Sequence, residues 1–69
     1  MTGPLILVVD DEPLARRRVV RLLRQLPWIG QVEQAGGVRE ALAAIQRSAP
    51  EIVLLDIQMP DGSGVDLLR

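Results

Sequence analysis

Two short aliphatic runs, each ending on an aspartate, constrain this chain more than any other feature. Residues 5–9 (LILVV) lead into Asp10, Asp11 and Glu12, and residues 52–55 (IVLL) lead into Asp56. Neither run alternates apolar with polar residues. Each therefore asks to be covered on both sides, as a strand inside a parallel α/β sheet is. Carboxylates at the mouth of such a strand are costly to bury unpaired, because ionised groups leave water reluctantly. A fold that ends two buried strands on acids has to bring those acids to an open sheet edge, where solvent or a cation can meet them.

The stretches between the runs carry a helical period. In residues 13–26, Ala15, Val19, Leu22, Leu23 and Leu26 recur at i, i+4, i+7, i+8 and i+11, which predicts a helix with those residues inward. Pro13 suits the first turn, where no amide donor is needed, and the acids before it favour the positive end of the helix dipole. In residues 38–47, Val38, Ala41, Leu42 and Ile45 form a second such stripe. Residues 31–35 (QVEQA) fall between the helices and are assigned as the second strand by position, since their own pattern is polar. The SGVD at 63–66 has the S-x-x-D form of a capping box and predicts the start of a third helix. The order β-α-β-α-β-α implies parallel strands joined by right-handed crossovers.

Composition excludes several chemistries. The 69 residues allow one domain at most, and a chain of that size buries only about 60% of the surface its unfolded form exposes. A net charge of −1 gives no overall bias toward nucleic acid or acidic lipid. Without cysteine there is no disulfide framework or thiolate metal site. Without histidine there is no His–Asp triad, zinc-histidine site or phosphohistidine carrier. All 8 basic residues are arginine, so lysine is absent. The longest unbroken apolar run is far short of the roughly 20 residues that span a membrane, and no secretory leader is evident. A cytoplasmic location is expected.

Ligands of open α/β sheets bind outside the carboxyl ends of the strands, where strand order reverses. With residues 5–9 central and 52–55 beside them, Asp10, Asp11 and Asp56 share that edge. A strand spacing of about 4.8 Å puts their carboxylates roughly 5–8 Å apart. Each pair then repels by about 2–3 kcal/mol at an effective dielectric constant near 20. That repulsion favours a small, hard dication with oxygen ligands, of which Mg²⁺ fits best. A carboxylate beside such an ion can also be a nucleophile that forms an aspartyl phosphate. The alternative on spacing alone is that Asp11 or Glu12 caps the following helix.

Other residues read more simply. Gly36 and Gly37 suit a turn, having neither the P-loop lysine nor the dinucleotide-binding spacing. Trp28 is expected to plug the turn between the first helix and the second strand. Asp61–Gly62 reads as turn chemistry, and Asp66 as a cap partner. Arg16, Arg17, Arg18, Arg21 and Arg24 read as a solvated basic face of the first helix.

VVDDEP (8–13) and LLDIQMPDGSG (54–64) closely resemble the receiver domain of two-component response regulators. The wording of residues 10–27 is most similar to receivers attached to LytTR-type DNA-binding domains. The resemblance runs over essentially the whole chain and implies a truncated flavodoxin-like fold. Its parallel sheet would have three strands in the order 2-1-3, with helices on both faces. The resemblance further implies that Asp56 is the phosphoacceptor and that Asp10 and Asp11 bind Mg²⁺ with it. The backbone carbonyl of Gln58 would be a further metal ligand. Met59, Pro60 and Gly64 would form the loop into the third helix. In the family, a fourth strand supplies a Ser or Thr and a fifth strand a lysine, both contacting the phosphoryl group; these positions have no counterpart here. The expectation is an incomplete receiver over residues 1–69, from strand 1 to the start of helix 3, with crippled phosphotransfer and no catalytic turnover of its own. The implied partners are a sensor histidine kinase, which helix 1 helps to dock, and a second copy through the open edge at 52–55. DNA would be reached only through an output domain, and no membrane is involved. Two other readings stay open. One is an interaction module that binds a kinase or receiver without being phosphorylated. The other is a fragment of a haloacid dehalogenase-type phosphatase, whose Asp-x-Asp motif would want aspartate where Glu12 stands.

Overall fold

The layering follows from the first strand. The computed structural model describes residues 3–56, 58–59 and 62–63. Strand β1 (Leu5–Val9) lies in the middle of a three-stranded sheet of order β2-β1-β3, with β2 at Gln31–Ala35 and β3 at Ile52–Leu55. Both pairings are parallel. Leu5 through Val9 pair in step with Gln31 through Ala35, and Ile6 through Val9 with Ile52 through Leu55. Successive side chains of a strand point to opposite faces, and β1 divides accordingly. Ile6 and Val8 are buried with Val20 of helix α1 (Pro13–Arg24). Leu7 and Val9 are buried with Ala35 and with Ala41 and Ala44 of helix α2 (Val38–Ser48). The helices therefore cover opposite faces of an α/β sheet with the expected order. A short antiparallel pair follows, β4 (Gln58–Met59) with β5 (Gly62–Ser63). Met59, expected in the loop, thus closes β4, and Ser63, expected to cap the third helix, closes β5; the rest of that helix and the roles read for Pro60, Asp61, Gly64 and Asp66 lie outside the described residues.

The helix faces differ from the sequence count. Helix α1 ends at Arg24, and Leu22 and Leu26, expected inward, are 59% and 39% exposed. The contact stripe instead runs through Arg16, Val20 and Leu23, with Val19 beside it; Val20 is 3% exposed and Arg16 is half-buried. A charged residue in the first turn disguised that stripe, although its i, i+4, i+7 spacing is regular. On α2 the small Ala44 is buried while Leu42 is exposed. Trp28 is not a plug, being 55% exposed, and the neighbouring Ile29 takes that place against Ile6, Val8 and Val20.

At the amino end of the sheet, two backbone segments touch. The amides of Gly30 and Gln31 donate to the Pro4 carbonyl at 3.0 and 3.3 Å. A Cβ on Gly3 would collide with the Trp28 carbonyl oxygen and the Gly30 nitrogen, and one on Gly30 with the Gly3 carbonyl. Glycine is required at both positions by contact.

Helix α2 closes on Ala49, whose amide donates to the Ile45 carbonyl at 3.0 Å while its own backbone is left-handed, φ 48°. An L-residue with a Cβ is disfavoured there, and glycine is the usual occupant. Ala49→Gly is expected to stabilise the fold by about 0.5–1 kcal/mol, after its greater unfolded-state entropy is deducted. A urea titration checks it through a higher midpoint at unchanged slope.

Candidate functional site: an acidic cluster at the strand ends

The site is built by the register of the sheet. Val9 pairs with Ala35 on one side and Leu55 on the other, so the residues that follow, Asp10 and Asp56, emerge side by side. Their own amides extend the ladders: Asp10 N–H donates to the Ala35 carbonyl at 3.1 Å, and Asp56 N–H to the Val9 carbonyl at 2.9 Å. Asp10, Asp11 and Asp56 are all half-buried, and one carboxylate oxygen from each lies within 4.8 Å of the others. This is tighter than strand spacing alone implies.

Glu12 takes the capping role and so separates itself from its neighbours. Its carboxylate accepts from the Leu14 amide at 3.3 Å, and its carbonyl accepts from the Arg16 amide at 2.9 Å. Its own amide donates to Asp10 Oδ1 at 2.9 Å. The three consecutive acids thus do different things: Glu12 starts α1, while Asp10 and Asp11 face Asp56. The residue two after Asp10 is thus engaged in the helix cap.

One residue that sequence reasoning assigned to solvent belongs here. The Arg16 guanidinium donates from Nη1 to the Asp10 carbonyl at 2.8 Å and from Nε to Gln34 Oε1 at 3.2 Å. Its other basic neighbours on α1, Arg17, Arg18, Arg21 and Arg24, are exposed as expected. The signal that would have found Arg16 is its helical spacing to Val20 and Leu23.

A groove of about 190 Å³ leads to the acids between α1 and β3, lined by Val8, Val9, Val19, Leu54 and Leu55 below Asp10 and Asp56. The donor set is all oxygen, in a chain without histidine or cysteine. It suits a hard dication such as Mg²⁺ rather than a softer metal. Gln58 opens β4 two positions after Asp56.

Comparison with known proteins gives a consistent result. The family model described as "Response regulator receiver domain" matches residues 6–69. The DNA-binding transcriptional activator DevR/DosR of Mycobacterium tuberculosis is 39% identical over 64 residues, which is 93% of this chain and 30% of that protein. The sensory transduction protein LytT of Enterococcus faecalis is 42% identical over 62 residues, 90% of this chain and 26% of that one. The chain thus spans less than a third of the length of either relative. A solved structure of a MaeR response regulator mutant bound to sulfate superposes with a TM-score of 0.89, covering 96% of this chain and 54% of that one. At 24% identity it shows a shared fold.

At 4.8 Å or less, two full charges repel by on the order of 3 kcal/mol at an effective dielectric constant near 20, before solvent screening of these half-exposed groups. Asp11→Asn is therefore expected to stabilise the metal-free protein by about 1 kcal/mol at low ionic strength, and by less in high salt. Unfolding titrations at two salt concentrations test this; a destabilised variant contradicts the repulsion.

Proposed function

This chain belongs to the response regulator receiver domain family, and from that premise we propose that Asp56 accepts a phosphoryl group from a sensor histidine kinase, with Mg²⁺ held by Asp10, Asp11 and Asp56. The observation that carries the reading is the convergence of these three carboxylates within 4.8 Å at the carboxyl ends of two paired strands. A carboxylate oxygen of Asp56 attacks the phosphorus, forming an O–P bond as the donor's P–N bond breaks, and the imidazole leaves with the electron pair. When bound, Mg²⁺ supplies positive charge that offsets the charge of the group in transfer. Asp10 and Asp11 hold that ion, and Gln58 would add its backbone carbonyl. The ladder bond from the Asp56 amide to Val9 fixes the nucleophile's backbone. The exposed arginines of α1 offer the kinase a basic surface. A cytoplasmic place of action belongs to the same proposal; among the described residues no helix is long and apolar enough to cross a membrane.

Acetyl phosphate with Mg²⁺, followed by intact mass, tests the chemistry. One phosphoryl group is expected on the wild type and none on Asp56→Asn. Labelling of the 69-residue chain is expected to be slow, because these residues include no lysine to share the developing charge. Labelling that survives Asp56→Asn contradicts the assignment; absence of any labelling would favour the phosphorylation-independent interaction module. Amide shifts at Asp10 and Asp56 should follow Mg²⁺ in the wild type and respond at least about tenfold more weakly in Asp10→Asn or Asp11→Asn.

The proposal extends to association of this chain with a second copy. On the α1 side of the sheet, Ile52 and Leu54 of β3 are 36% and 39% exposed, and among the described residues β3 pairs on one side only. An apolar edge of that kind recruits another strand. Sedimentation should show dimers that dissociate in the Ile52→Lys, Leu54→Lys double variant, since inward or edge lysines block pairing.

A further inference from the structure

Arg16 is the one cation whose side chain reaches the backbone of the acidic cluster among the described residues. From the first turn of α1 it crosses to two strands at once. Nη1 donates to the main-chain carbonyl of Asp10, after β1, and Nε donates to the side chain of Gln34, in β2. The bond to Asp10 is partly buried. It passes close over Gly36, where an added Cβ would lie 3.2 Å from Nη1 and press on it. The end of β1 is thereby held from two directions: by the ladder bond of the Asp10 amide to Ala35, and by a rigid planar fork spanning Asp10 and Gln34.

We infer that Arg16 is a positioning residue for the cation site, fixing the backbone at Asp10 so that Asp10 and Asp11 present their carboxylates toward Asp56 before any ion arrives. The inference rests on the reading that these acids hold Mg²⁺. It goes beyond that reading in giving an arginine, a cation, a role in favour of binding another cation. Geometry and charge here predict opposite signs. If only the charge of Arg16 mattered, removing it would tighten the site for a dication. If the fork matters, removing it weakens the site, and lysine, which keeps the charge but loses the fork, does not restore it. Partners that orient metal ligands commonly change affinity by tenfold or more when lost.

The test uses Arg16→Lys, Arg16→Met and Gln34→Leu, the last removing the Nε acceptor at an exposed position that the fold tolerates. Two quantities are measured. In metal-free protein, hydrogen exchange of the Asp10 amide is expected to speed by about threefold or more in all three variants, while that of Ala44 within α2 stays as in the wild type. In a Mn²⁺ titration, the Kd is expected to rise about tenfold in Arg16→Lys and Arg16→Met, and by less in Gln34→Leu. Wild-type affinity in Arg16→Lys, or tighter binding in Arg16→Met, overturns the inference. So does unchanged Asp10 exchange. A wild type that binds no Mn²⁺ refutes the metal reading instead, and the exchange measurement still decides whether Arg16 holds the strand end. Should the Arg16 variants not fold, Gln34→Leu carries both measurements, with unchanged exchange and affinity counting against the role.

Discussion

Everything in this molecule hangs on the parallel pairing of β1 with a neighbour on each edge, combined with its burial on each face. Because Val9 is matched to Ala35 and to Leu55, the chain has no freedom in where Asp10 and Asp56 emerge. A slip of one residue in either ladder would put the neighbouring strand's inward residues on the wrong face, turning Ala35, or Val53 and Leu55, away from α2. The hydrophobic core thus sets the spacing of the carboxylates. What the core stabilises, the acids partly oppose, and the half-buried setting of the cluster keeps that opposition within what so small a domain can tolerate.

The three acids after β1 illustrate how neighbouring residues of like charge acquire unlike tasks. The strand ends at Val9 and the helix begins at Pro13, so the chain must turn between them. In that turn Asp10 receives the Glu12 amide on its carboxylate, and Glu12 lends its own carboxylate to the helix. The longer side chain makes the local cap, and the shorter ones stay at the sheet edge. The positive end of α1 is met by Glu12 and not by Asp10 or Asp11.

Much of this was legible before the fold was seen, and the gaps have physical causes. The runs at β1 and β3 read as strands because burial on both faces removes alternation, and Asp10, Asp11 and Asp56 followed from where those runs stop. Strand β2 could be placed only by chain order. Its polar residues are held by partners distant in sequence: Glu33 accepts from Ser48 Oγ at 3.0 Å and sits 3.5 Å from Arg47, and Gln34 accepts from Arg16. No local pattern announces such pairs. The same cause displaced the inward face of α1, where a guanidinium in the contact stripe looked like surface charge. Ala41 was read inward but Ala44 was passed over on α2, because closeness of helix to sheet rather than side-chain size decides what is buried there. Arg16 lies outside VVDDEP and LLDIQMPDGSG, and its bonds to Asp10 and Gln34 had to be seen in three dimensions.

The backbone crossing of Gly3 and Gly30 has an optical consequence. It pins Trp28, the sole aromatic residue, to the end of the sheet where β1 begins. The carboxylates gather where β1 finishes, a strand of 5 residues away, or roughly 16 Å at the usual rise. An indole at that remove, with its ring largely in solvent, is blind to ions and phosphoryl groups at the far end. Its emission reports on its own surroundings at the glycine crossing, so intrinsic fluorescence of this chain follows the end of the sheet opposite the carboxylates.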